Sequence, residues 1–131
     1  MMLITTRVLP SGIHGMGLFT VEPVPCGTAV WRFEPGFDQS FTPAQFAALP
    51  VEAQTHLRWF AFPDDAGNWN ISGDHACFMN HSPAPNTGAP PDAAAPVVTR
   101  ALRDIAAGEE LTCDYFAFDA EAGKKLGVFT R

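Results

Sequence analysis

The segment Phe78 to Asn86, FMNHSPAPN, sets Asn80, His81 and Asn86 among prolines that restrict the backbone. A loop stiffened in this way can hold polar groups in fixed positions for a ligand. Taken alone it also reads as a rigid turn in which Asn80 and Ser82 cap their own backbone, and His81 by itself would not count as catalytic. A second segment, Ile13 to Phe19 (IHGMGLF), places Gly15 and Gly17 on either side of Met16, just ahead of an apparent strand. Glycine there allows close backbone approach to a ligand and positive φ. The third glycine and following helix of a dinucleotide fingerprint are missing, and taken alone the pair is more often just a tight turn. A third segment, Ile105 to Tyr115 (IAAGEELTCDY), ends in a carboxylate and a phenol. A phenol ionises near pH ~10, so Tyr115 suits orienting and electrostatic work better than proton abstraction at neutral pH. Asp114 has the chemistry of a base, but strand alternation turns it away from the face that Tyr115 uses, which gives it a structural hydrogen-bonding role. His75, Cys77 and His81 are metal-ligating types, yet H-x-C-x3-H is not a familiar zinc spacing and a fourth ligand is lacking. No metal is expected.

The elements that must carry these segments are short. Strands are expected at Ile4 to Val8, Gly17 to Val21 and Ala29 to Phe33, each punctuated by Gly or Pro. Thr42 before Pro43 reads as an N-cap and first helical residue, opening a helix over Ala44 to Leu49. Pro50 stops it and starts another over Val51 to Phe60, in which Leu57 and Phe60 share helical spacing. A helical insertion over about residues 42–62 thus interrupts the strands. Gly67 to Asn86 is dense in turn-forming residues and reads as a loop-rich site. Gly88 to Pro96 (GAPPDAAAP) is a surface loop by composition. Val97 to Leu102 follows as a strand, Ala106 to Gly108 as a turn, and Glu110 to Thr112 as the start of a further strand. No internal repeat is present.

The 131 residues, 47% of them hydrophobic, suffice for one domain with one core. No apolar run approaches the roughly 18 residues of a membrane span, and MMLITTRVLP lacks the features of a secretory signal, so a cytoplasmic protein is expected. Cys26, Cys77 and Cys113 read as reduced thiols, being odd in number and without paired close spacing. The balance of 14 acidic against 8 basic residues disfavours direct nucleic-acid binding and is compatible with a basic, Lys-containing protein or peptide partner.

Together, Gly15 to Phe19, Asn80 to Asn86 and Gly108 to Tyr115 resemble the SET domain of protein lysine methyltransferases in order and approximate separation. Ala101 to Ile105 (ALRDI) is similar to that family's lead-in strand. The resemblance spans nearly the whole chain and is to a small, stand-alone member of bacterial type. It implies a mainly β fold with short helices: a β-clip-like arrangement of several small sheets, in which the carboxyl-terminal segment threads beneath the middle loop as a pseudoknot. Residues 1–131 then form a single SET domain ending in a short tail, 116–131.

The resemblance also implies roles. The backbone around Gly15, Met16 and Gly17, with Asn80 and His81, would hold S-adenosylmethionine. Tyr115 would be the catalytic residue beside the transferring methyl, and Cys113, Phe116 and Phe118 would line a lysine channel. The implied activity is methyl transfer to a lysine of a protein substrate. The alternative is a weak or inactive SET-fold module that binds cofactor or a basic peptide. Many members have a zinc-binding Cys after Asn-His-Ser; here Pro83 stands there, no Cys follows Cys113, and a zinc-binding tail is not expected. Cys77 replaces an Arg common before Phe-x-Asn-His-Ser, and Cys113 occupies a position often Phe or Tyr, which leaves the number of methyl groups added open. Closure of the site then falls to the tail, with Phe129 as its aromatic lid, to a second subunit in a homodimer, or to the substrate. Lys124 and Lys125 offer automethylation, or more simply a solvated pair.

Overall fold

The computed structural model describes residues 1–90, 93 and 97–127. The lid candidate Phe129 and most of the Ala- and Pro-rich tract lie outside them. The chain opens with a hairpin of β1 (Thr6–Pro10) and β2 (Met16–Thr20), registered Pro10 opposite Met16 and Thr6 opposite Thr20. Five residues, 11–15, make the turn, and Gly15 closes it at φ 47°, where a side chain would be strained. The turn therefore fixes β1 two residues later than its apolar content suggests, and Pro10 is accommodated at the strand end. β2 buries Leu18 and Thr20.

After β3 (Ala29–Arg32) and β4 (Gln39–Phe41) comes the expected helical insertion. α1 (Pro43–Ala47) starts on a full capping box: Thr42 Oγ1 accepts from Gln45 N at 3.2 Å, and Gln45 Oε1 accepts from Thr42 N at 2.9 Å. α2 (Val51–Phe60) has the predicted bounds but buries Leu57 alone, so Trp59 is left 69% exposed. The short strands β5 (Phe62–Pro63) and β6 (Trp69–Ile71) complete a sheet in the order β4-β6-β5. The insertion has its own small core of Phe46, Leu57, Ala61 and Trp69, with Phe46 and Trp69 stacked at 4.9 Å.

β7 (Asn80–His81), β8 (Thr87–Gly88) and β9 (Val98–Ala101) follow, and β3, β9 and β8 make a second antiparallel sheet. β10 (Thr112–Cys113) pairs in parallel with β7, Thr112 opposite Asn80 and Cys113 opposite His81. Glu110, expected within that strand, makes only a bridge to Phe19. The short helix α3 (Ala122–Lys125) was not foreseen. Leu18, Val24, Val30, Met79, Ala101, Ile105, Leu111 and Cys113 form the main core.

The 111–115 segment runs between the two limbs of the 79–88 loop. On one side it pairs with β7. On the other, Asn86 Oδ1 accepts from Thr112 N at 2.8 Å, Asn86 Nδ2 donates to the Glu110 carbonyl at 2.8 Å, and Thr87 Oγ1 donates to the Thr112 carbonyl at 2.7 Å. This is the pseudoknot that the resemblance implies.

Candidate functional site

Asn80 is buried, and its side-chain amide reaches far along the sequence rather than capping its own turn. Nδ2 lies 3.2 Å from Ser11 Oγ, 3.1 Å from the His14 carbonyl, 3.2 Å from the Met16 carbonyl and 3.0 Å from Glu110 Oε2. An amide nitrogen carries two hydrogens, so these four groups share them, and the Ser11 hydroxyl donates in turn to the Glu110 carboxylate at 2.8 Å. Ser11 and Glu110 join the sequence-predicted Gly15, Met16, Gly17 and Asn80 in this cluster. Ser11 gave no signal in sequence. Glu110 could have been found from alternation, since Glu109 points outward to Arg103 at 2.9 Å while its neighbour turns in.

Gly17 has a local reason. A Cβ there would sit 2.5 Å from Glu110 Oε2 and 3.1 Å from the Ser11 Cβ, so any side chain displaces the carboxylate from Ser11 and Asn80. At Gly15 a Cβ would meet nothing within 4 Å, and the backbone there faces open space.

Parallel pairing of β7 and β10 brings His81 to Tyr115. His81 Nδ1 accepts from Tyr115 N at 3.1 Å, and the two rings are 5.4 Å apart. Asp114 Oδ1 also lies 3.7 Å from His81 Nδ1. Asp114 has the expected structural role: Oδ1 accepts from Phe116 N at 3.0 Å and caps the 3-10 turn Tyr115–Ala117. His75, Cys77 and His81 do not assemble, and among the described residues no group of three His, Cys, Asp or Glu is placed to hold a metal.

The Tyr115 hydroxyl points the other way and donates to the Met79 carbonyl at 2.6 Å. It borders a cavity of about 710 Å³ that is also lined by Cys77, Met79, Cys113 and Phe118. Of the residues expected along a lysine channel, Cys113 and Phe118 are on this cavity. Phe116 is not; its ring lies edge-on to His81 at 5.6 Å. The cavity also takes in Trp59, Phe60, Asp119 and Lys125, none of which was expected in sequence to line it.

Lys125 is not the solvated residue that its place in a lysine pair suggests. Its Nζ donates to Asp119 Oδ2 at 2.6 Å and to the Ala61 carbonyl, with 14% of the side chain exposed against 68% for Lys124. With Ala120 N donating to the Pro63 carbonyl at 2.9 Å, this ties the tail to the insertion.

Burial is the main reason that two cavity groups stay neutral. It raises the Tyr115 phenol well above its ordinary value, with the charges of Cys113, Asp119 and Cys77 acting in the same direction. It pushes the Cys113 thiol up to about 12, aided by Asp114 and Asp119. Near pH ~8 only about one Cys113 in ten thousand would be thiolate. Iodoacetamide is therefore expected to label the exposed Cys26 and spare Cys113, as peptide mass spectrometry would record.

The fold and site define a small β protein in which Tyr115 stands between a hydrogen-bonded polar cluster around Asn80 and a largely apolar cavity. The chain belongs to the SET-domain family, whose model matches residues 15–116. No curated protein matches the sequence. Similar solved structures include a Plasmodium falciparum protein provisionally described as a histone methyltransferase, at 15% identity and TM-score 0.60, covering 86% of this chain and 93% of that one. Another is a humanized mutant of the Chaetomium thermophilum Polycomb Repressive Complex 2 bound to the inhibitor GSK126, at 20% identity and TM-score 0.65. That match covers 92% of this chain and 16% of the longer one. At such identities the likeness is one of fold.

Proposed function

We propose that the chain transfers a methyl group from S-adenosylmethionine to the side-chain amine of a lysine in another protein. The observation that carries this reading is the position of Tyr115 between a polar cluster and a cavity: its amide is bonded to His81, next in sequence to Asn80, and its side chain lines the apolar cavity.

The polar cluster suits a cationic cofactor. The acceptors around Asn80, namely the His14 and Met16 carbonyls and the Glu110 carboxylate, match an ammonium or sulfonium charge, and Gly15 leaves the backbone open to close approach. When bound, S-adenosylmethionine would supply an electrophilic methyl on positively charged sulfur. The residues of the chain do the rest. The apolar cavity disfavours an ammonium and so favours the neutral amine of a target lysine, which otherwise titrates near ~10.4. Tyr115, held as the phenol, donates to Met79 and keeps oxygen lone pairs for an incoming N–H. Its work is orientation rather than proton abstraction. Residues lining the cavity would present that amine to the methyl, and the proton that the amine sheds would leave to water.

Calorimetric titration with S-adenosylmethionine tests the cofactor half. Binding in the micromolar range is expected, weakened about tenfold or more by Asn80→Ala, which leaves the four acceptors without their shared donor. The absence of binding to the unaltered chain would overturn the reading. Binding without transfer to any lysine peptide would leave only a cofactor-holding module.

A further inference from the structure

The cavity beside Tyr115 opens to the surface through large apolar side chains. Of thirteen large hydrophobic residues exposed among the described residues, five line it: Trp59, Phe60, Val97, Leu102 and Phe118. They come from the end of α2, the flanks of β9 and the tail, so three separate parts of the chain converge on one apolar mouth. Trp31 adds an inner wall. Its indole N–H is taken by Ser72 Oγ at 3.0 Å, leaving the ring face as the surface on offer. α2 explains why Trp59 is available: that helix spends only Leu57 on the core.

The charges at this mouth are already used. Asp119 is paired with Lys125 at 2.6 Å and also accepts from Glu121 N at 2.9 Å. Asp114 is engaged in capping the Tyr115–Ala117 turn. The chain carries a net charge of −6, yet little of that is presented inside the mouth. A flanking Arg or Lys entering it would lose water without gaining a free carboxylate, whereas a Phe or Leu would bury apolar surface.

We infer that the occupant is an extended segment of another protein whose target lysine is flanked by large apolar or aromatic residues rather than by basic ones. This deepens the transferase reading and rests on it for the identity of the central lysine. It narrows the expectation, drawn from overall charge, of a basic Lys-containing partner to the residues that adjoin the lysine. Net charge acts over the whole surface and governs encounter; selection at the site depends on the groups that line the mouth.

The test uses two fluorescently labelled peptides that differ only in the residues adjoining one lysine, Phe and Leu in one and Arg in the other. Their binding to the full chain is followed by anisotropy with S-adenosylhomocysteine present, and methyl transfer is measured in parallel. The apolar-flanked peptide is expected to bind about tenfold or more tightly, as burial of one large side chain allows. Trp59→Ala should remove most of that difference. Val51→Ala, at a position 72% exposed and away from the cavity, should preserve it. Equal binding, tighter binding of the Arg peptide, or a preference that survives Trp59→Ala would overturn the inference. Transfer to both peptides without preference would do so while sparing the transferase reading. A Trp59-dependent preference without transfer would support the inference and count against the transferase reading.

Discussion

Asn86→Ala is expected to destabilise the protein by about 3–5 kcal/mol, a large share of the roughly 5–15 kcal/mol by which domains are stable. Asn86 is 3% exposed and serves as the pin of the pseudoknot, accepting from Thr112 N and donating to the Glu110 carbonyl. Truncation leaves both backbone groups without their partner in a site that excludes water, and each such loss costs about 1–3 kcal/mol. The backbone N–H of Asn86 also donates to Thr112 Oγ1 at 3.1 Å, a bond that the Ala variant keeps. Urea denaturation would measure the effect as a fall in midpoint at unchanged slope. A change below about 0.5 kcal/mol, the ordinary size of a surface substitution, would mean that Asn86 does not hold the threaded segment.

Tyr115→Phe carries the largest expected effect on activity. Methyl transfer should fall by about 10²–10³, the order of loss when one positioned hydrogen-bonding group is deleted at a reacting centre. Affinity for S-adenosylmethionine should change little, because the contact that Tyr115 makes on that side is its backbone N–H to His81, which Phe retains. Comparable transfer by the Phe variant would exclude the phenol from the reaction. The same substitution has a pH signature. Burial holds the Tyr115 pKa above its ordinary value of 10.0, so the folded state prefers the neutral phenol. That contribution is fully present below about pH 10 and is lost as pH rises through the folded-state value, because the unfolded chain ionises first. Denaturation measured across that alkaline window should show a steeper loss for the unaltered protein than for Tyr115→Phe.

Much of the local structure was written in short stretches of sequence. Thr42, Pro43 and Gln45 specify the start of α1 through bonds spanning three residues, and Pro50 marks where α2 begins. The three motif segments likewise carry Gly15, Gly17, Asn80, His81, Asn86 and Tyr115, and with them the family resemblance. Such features are legible because they depend on conformational preferences and hydrogen bonds close along the chain.

Tertiary structure decided which side chains meet. Glu110 and Ser11 join Asn80 across 30 and 69 residues, and Lys125 reaches the Ala61 carbonyl across 64. Phe116 and Phe118 are two residues apart and alike in composition, yet only Phe118 borders the cavity, because the chain turns into a 3-10 helix at Tyr115 and leaves strand alternation behind. Lys124 and Lys125 are chemically the same, but one is in water and the other pairs with Asp119, according to the way α3 packs. Residue type and near-neighbour spacing determined what chemistry the chain could carry. Threading of the 111–115 segment through the 79–88 loop determined where that chemistry meets, since hydrogen bonds and burial between distant segments form only when the whole chain closes around them.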